Sequence, residues 1–157
     1  MSTQESSAAD SRWFRLECSS AVANIGVARI AVAALAAQAG FSVEDIEEIK
    51  VAVSEAVTNA IVHGYGGRAD ASVAVSAMLA QQRLTVTVSD RGVGMADVQA
   101  AMQPGSLDDE HTGLGFAFMK AFMDEVSVQS RVGQGTQVTM EKMAHTHPVN
   151  RVTSDDQ

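Results

Sequence analysis

Residues 48–65 read EIKVAVSEAVTNAIVHGY, and the spacing inside this stretch decides the fold. Ile49, Val53, Val57 and Ala60 recur every three or four residues, and Ile46 extends the stripe one turn earlier, which at about 100° per residue is one face of a helix. Glu55 and Asn59 fall on the opposite side, four apart and therefore adjacent. A charge opposite a core stripe is ordinarily a solvated face. Here the flanking positions are Val51, Ala52 and Val62 rather than Lys or Glu, so the side carrying Glu55 and Asn59 is expected to be covered. A carboxylate and a carboxamide in a recess suit a Mg²⁺ ion, which takes hard oxygen ligands and keeps several waters beside phosphates.

Working outward, Ser42 can cap this helix with Asp45 three residues on, and Phe41 can staple onto Ile46. Glu44, Asp45, Glu47 and Glu48 suit the positive end of the helix dipole, and Gly64 is expected to end the helix, giving a span of 43–63. Upstream lie a candidate strand over 13–18 and an Ala/Val/Ile-rich run of helical length over 20–38. Downstream, Val73, Val75, Ala77 and Leu79, then Leu84, Val86 and Val88, alternate with polar residues as a half-buried antiparallel hairpin. A loop region follows from Arg91 to Thr112, with a helical turn near 96–102. A helix over 113–123 leads into a second hairpin: Val126, Val128 and Val132, a Gly133-Gln134-Gly135 turn, then Thr136, Val138 and Met140. Helices early and antiparallel strands later predict an α+β fold: a two-layer sandwich of a mixed, mostly antiparallel sheet with helices on one face.

Composition bounds the rest. The chain has 157 residues, 46% of them hydrophobic, enough for one core. We expect a single domain over 12–142 between polar, disordered tails at 1–11 and 143–157. With a net charge of −8 and no Lys/Arg cluster, its field repels phosphate backbones and anionic lipid, so neither direct nucleic-acid binding nor membrane binding is expected. No apolar run approaches the ~20 residues of a membrane span, and 1–11 has no signal-peptide pattern. A cytoplasmic protein is expected, in keeping with the single cysteine, Cys18, which has no base beside it to activate it. His145 and His147 on a polar tail read as surface residues rather than a metal site.

Three further clusters are each ambiguous alone. Asp90-Arg91-Gly92-Val93-Gly94 begins where a strand ends, as turns do. Thr112-Gly113-Leu114-Gly115 opens a helix, whose free N–H groups favour an anion. Gly133-x-Gly135-Thr136 sits in a hairpin. Taken in order, ExxxN on a helix, DxGxG after a strand, GxG opening a helix and GxGT in a hairpin resemble the boxes of the GHKL (Bergerat-fold) ATP-binding superfamily. Within it, 48–65 and Phe122-Met123-Asp124-Glu125-Val126 resemble the anti-sigma serine kinases, the sporulation anti-sigma F factors above all. The resemblance covers about 13–142.

That resemblance implies roles at matched positions. Asn59 would ligand Mg²⁺ on the ATP phosphates, and Asp90 would accept a hydrogen bond from the adenine amino group. Gly92 and Gly94 would keep that wall thin, with Met95 beside them. Thr112, Gly113, Leu114, Gly115 and Phe116 would lie along the phosphates, and Thr136 would help fix the base. Glu55 would be the general base for a substrate serine. The implied partners are a sigma factor, an anti-anti-sigma protein that supplies the serine, and a second copy of the chain. Arg29 lines up with a family arginine that contacts partners; from the sequence alone it reads equally as an exposed solubilising residue.

The chain departs from the pattern at His111, where the family has an arginine reaching the γ-phosphate. A neutral imidazole stabilises less transition-state charge than a guanidinium, so a transfer rate that rises as pH falls towards about 6.5 is expected if His111 takes that place. Loop 95–111 carries Asp97, Asp108, Asp109 and Glu110 but no Lys or Arg. Three activities therefore remain open: a Mg-ATP-dependent serine kinase that also sequesters a sigma factor, a nucleotide-gated binding module with little catalysis, and an ATPase or histidine-kinase catalytic module.

Overall fold

The computed structural model describes residues 11–103 and 112–145. A five-stranded sheet in the order β1-β2-β3-β5-β4 carries a layer of helices on one face. All four neighbouring pairs are antiparallel, so the two-layer α+β sandwich is as expected while its sheet contains no parallel pair among the described residues. The expected tails lie almost wholly outside the described residues. No helix among those residues is long and apolar enough to cross a membrane.

β1 (Arg12–Ser19) leads through α1 (Asn24–Ala36) to α2 (Val43–Asn59). The Ser42 side chain accepts from the Asp45 N–H at 3.0 Å, and the Asp45 carboxylate accepts from the Ser42 N–H at 3.1 Å, the reciprocal capping box that the sequence predicts. Ile49, Val53, Val57 and Ala60 are buried in one core cluster with Phe41, and Ile46 packs against it. The helix does not run evenly to 63. After Asn59 it widens into a π turn, Ala60–Gly64, which inserts extra backbone where the chain reaches the sheet. Gly64 has no left-handed backbone; Gly66 and Gly67, at φ 62° and 82°, turn the chain instead. Gly64 is glycine for a different reason: a Cβ there would sit 2.8 Å from Asp90 Oδ1.

β2 (Ser72–Ala80) and β3 (Arg83–Asp90) form the first hairpin, with Val73, Val75, Ala77, Leu79, Leu84, Val86 and Val88 all buried against the helices. The short α3 (Val98–Ala101), capped by Asp97, and α4 (Thr112–Phe122) follow, then β4 (Glu125–Arg131) and β5 (Gly135–Met143). Val132, expected in the alternation with Val126 and Val128, lies beyond β4 in the turn between the last two strands and is exposed. The helix-facing side of β5 continues through Val138 and Met140 to Lys142, whose ammonium is buried. It donates to Glu48 Oε2 at 3.0 Å and to the carbonyl of Phe122 at 2.5 Å, tying the start of α2 to the end of α4.

Candidate functional site

α2 and α4 pack side by side over the sheet, and the seam between them opens at the β3 end into a cleft. Asn59, Asp90, Gly94 and Thr136, from three of the four sequence clusters, line it together with Met95 and Phe116, each one residue past a cluster. Periodicity along 48–65 did not single out Ala56, His63 or Gly64 as lining residues, and the wall is completed by Val88 and Val138 of the sheet. These could have been found from the strand pattern, because the residues that end a buried alternation lie at the edge of the core.

Asp90 ends β3 on the helix-facing side and is only 8% exposed. Its Oδ1 accepts from the Gly92 N–H at 2.9 Å, and the backbone N–H of Thr136 also donates to the carboxylate. Burial nevertheless holds the acid above its ordinary pKa, the loss of water outweighing those two donors. A carboxylate fixed at the back of an apolar cleft can accept a hydrogen bond from a ligand amine. The loop after it is pressed against the end of α2: the Val93 N–H donates to the Gly64 carbonyl at 3.0 Å, and a Cβ on Gly92 would overlap that carbonyl. Tyr65 adds a clamp, its hydroxyl accepting from the Arg91 N–H at 2.7 Å and donating to the Ser72 carbonyl.

Glu55 and Asn59 are half-buried neighbours, as their spacing predicts, and what covers them is the backbone of α4. At Gly115 a Cβ would lie 2.9 Å from Glu55 Oε2 and 3.3 Å from Asn59 Oδ1, so only glycine lets the start of α4 come so near both. Val51 and Val62, expected to share that cover, are 38% and 45% exposed. Asn59 Nδ2 is buried and has no hydrogen-bond partner among the described residues. An orphaned amide donor costs folding free energy, about 1–3 kcal/mol, and is ready for an anionic oxygen, while the amide oxygen is a hard ligand for a divalent cation. Among the described residues no group of three His, Cys, Asp or Glu side chains could hold a metal, so a cation at Asn59 would draw its remaining ligands from water and phosphate.

The other predicted positions divide. Phe116 is buried in the core under the cleft, whereas Leu114 is 52% exposed and does not line it. Thr112 and Gly113 begin α4, and His111 lies outside the described residues, as do Asp108, Asp109 and Glu110. Arg29 is exposed on α1, apart from the cleft. Cys18 is half-buried in β1, and desolvation raises its thiol pKa, the opposite of an activated nucleophile.

Residues 18–142 match the family described as histidine kinase-like ATPase domain. An anti-sigma F factor of Clostridium novyi (strain NT) is 42% identical over 131 residues, covering 82% of this chain and 92% of that protein. An anti-sigma F factor of Pasteuria penetrans is 45% identical over 131 residues, covering 81% and 87%. Among solved structures, that of the RsbU and RsbW domains of Rv1364c from Mycobacterium tuberculosis superimposes with a TM-score of 0.62 at 22% identity, covering 84% of this chain and 32% of that one. The histidine kinase domain of the Erythrobacter litoralis EL346 blue-light activated kinase gives 0.53 at 23% identity, covering 78% and 60%. At such identities the two structures speak to the fold alone.

Proposed function

The chain belongs to the histidine kinase-like ATPase family and, within it, to the anti-sigma F factors, and from that premise we propose that it binds and inhibits a sigma factor in the cytoplasm and uses Mg-ATP to phosphorylate a serine of an anti-anti-sigma protein. The observation that carries the catalytic half is the junction of α2 and α4, where Glu55 and the unpartnered Asn59 amide meet the glycine backbone that opens α4.

In this reading adenine enters the cleft with its amine on the Asp90 carboxylate and Thr136 beside it. Gly92, Gly94 and Met95 shape that wall, and the triphosphate runs along Thr112, Gly113, Leu114, Gly115 and Phe116. Asn59 holds Mg²⁺, which neutralises phosphate charge when bound. Glu55 accepts the proton of the substrate serine as its oxygen bonds to the γ-phosphorus, and the bond to the β-phosphate oxygen breaks to release ADP. Positioning and charge neutralisation do most of this work, so a half-buried carboxylate at the right distance suffices. The acidic surface meets a basic, nucleic-acid-binding partner by charge complementarity, with Arg29 as a contact and a homodimer as the assembly.

Purified protein, a candidate anti-anti-sigma protein as antagonist and γ-labelled ATP test the reading. Label should reach a serine of the antagonist, and Glu55→Ala should abolish transfer while ATP binding persists. His111, in place of the family arginine, favours one second reading, a nucleotide-gated binding module. ATP-dependent partner capture that survives Glu55→Ala, with no label transferred by the unaltered protein, would establish that reading and overturn the kinase.

A further inference from the structure

The cleft depends on a residue that does not line it. Ser130 ends the helix-facing side of β4, half-buried. Its Oγ accepts from the Met95 N–H at 2.8 Å, donates to the Gly135 carbonyl at 3.1 Å, and lies 2.8 Å from Thr136 Oγ1. Met95 and Thr136 line the cleft, and Gly135 packs so closely on the Asp90 backbone that a Cβ would overlap the Asp90 carbonyl. One hydroxyl therefore joins three pieces of the wall around Asp90.

A proton inventory gives this junction a direction. A serine hydroxyl has one proton and two lone pairs. An N–H can only donate and a C=O can only accept, so Met95 uses one lone pair and Gly135 uses the proton. The remaining lone pair faces Thr136, whose own hydroxyl proton is thereby drawn to Ser130. Thr136 then turns a lone pair towards the cleft, beside the Asp90 carboxylate, itself an acceptor. Two neighbouring acceptors favour a donor on the ligand.

We propose that Ser130 is a specificity-positioning residue: by orienting Thr136 and bracing Met95 and Gly135, it makes the cleft prefer a 6-amino over a 6-keto purine without touching the base. The inference rests on the reading of the cleft as a nucleotide site. A 6-keto purine sets its carbonyl against these acceptors and has only its N1–H to offer them where adenine has the two protons of its amine, so it gains less from their alignment and loosening them costs it less.

Titration of the full chain with Mg-ATP and with Mg-ITP separates this from a merely structural role. The unaltered protein should bind ATP more tightly than ITP. Ser130→Ala should weaken ATP about tenfold and ITP less than about twofold, the scale of one lost hydrogen-bond junction, and Ser130→Thr should restore the preference. Should the alanine variant lose its cooperative melt, Ser130→Cys, nearly the same size with a poor donor, takes its place with the same expected narrowing. Equal weakening of both nucleotides, or an unchanged ratio, overturns the role of Ser130 while leaving the nucleotide site intact. Failure of the unaltered protein to bind either nucleotide overturns both.

Discussion

Asp90 is under opposed demands. Burial favours its protonated form, whereas the proposed recognition of the adenine amine requires the carboxylate. An acid whose folded pKa is raised contributes stability that is full below its unfolded value, about pH 4, and is lost as pH rises through the folded value. ATP affinity should move the other way over that window, rising as the carboxylate forms. Melting and nucleotide titration at pH steps upward from about 4.5, each compared with Asp90→Ala, check both slopes; an affinity independent of pH in this range would contradict the assignment of Asp90. Asn59 makes a similar trade. Because its Nδ2 is already orphaned, Asn59→Ala should leave the melting temperature of the ligand-free protein unchanged or raised, while Mg-ATP affinity falls at least about tenfold. A large loss of stability without nucleotide would mean that the amide has a partner in solution.

At the scale of elements, local chemistry could be read and tertiary cause could not. The capping box at Ser42 was legible because both partners lie within one turn, and Ser42→Ala should cost about 1 kcal/mol, measurable by urea denaturation. The strand faces were legible because period two tolerates few alternatives, and the same period could have shown Lys142 pointing inward. Lys142→Ala leaves the Phe122 carbonyl and Glu48 without their partner; since Glu48 keeps some solvent, about 2 kcal/mol is expected rather than the full penalty of a buried charge. The π turn at Ala60–Gly64 was not legible. Nothing local demands it: Gly64 must pass beneath Asp90, a residue 26 positions away, and the Tyr65 hydroxyl must reach Arg91. The exposure of Val51 was missed for the same reason, since the cover over Glu55 comes from the narrow backbone at Gly115 and extends no further.

Over the whole molecule, the sheet acts as a plate that brings four separated sequence clusters to one end of the helix seam. β3 delivers Asp90, the start of β5 delivers Thr136, α2 delivers Glu55 and Asn59, and α4 closes over them with glycine. Each box was ambiguous alone, and their order along the chain carried the site, because antiparallel pairing of β3 with β5 sets Ser89 opposite Gln137 and so puts the two strand-end clusters side by side. The fixed polar groups of the cleft are the Asp90 carboxylate, the Asn59 amide, the His63 imidazole, the Thr136 hydroxyl and the N–H donors around them. In the proposed function that cleft holds an adenine nucleotide with its magnesium. Isothermal titration calorimetry of the folded chain with Mg-ATP should give a saturable heat at one nucleotide per chain that disappears in Asp90→Ala; no heat from the unaltered protein, or the same heat from the variant, would contradict it.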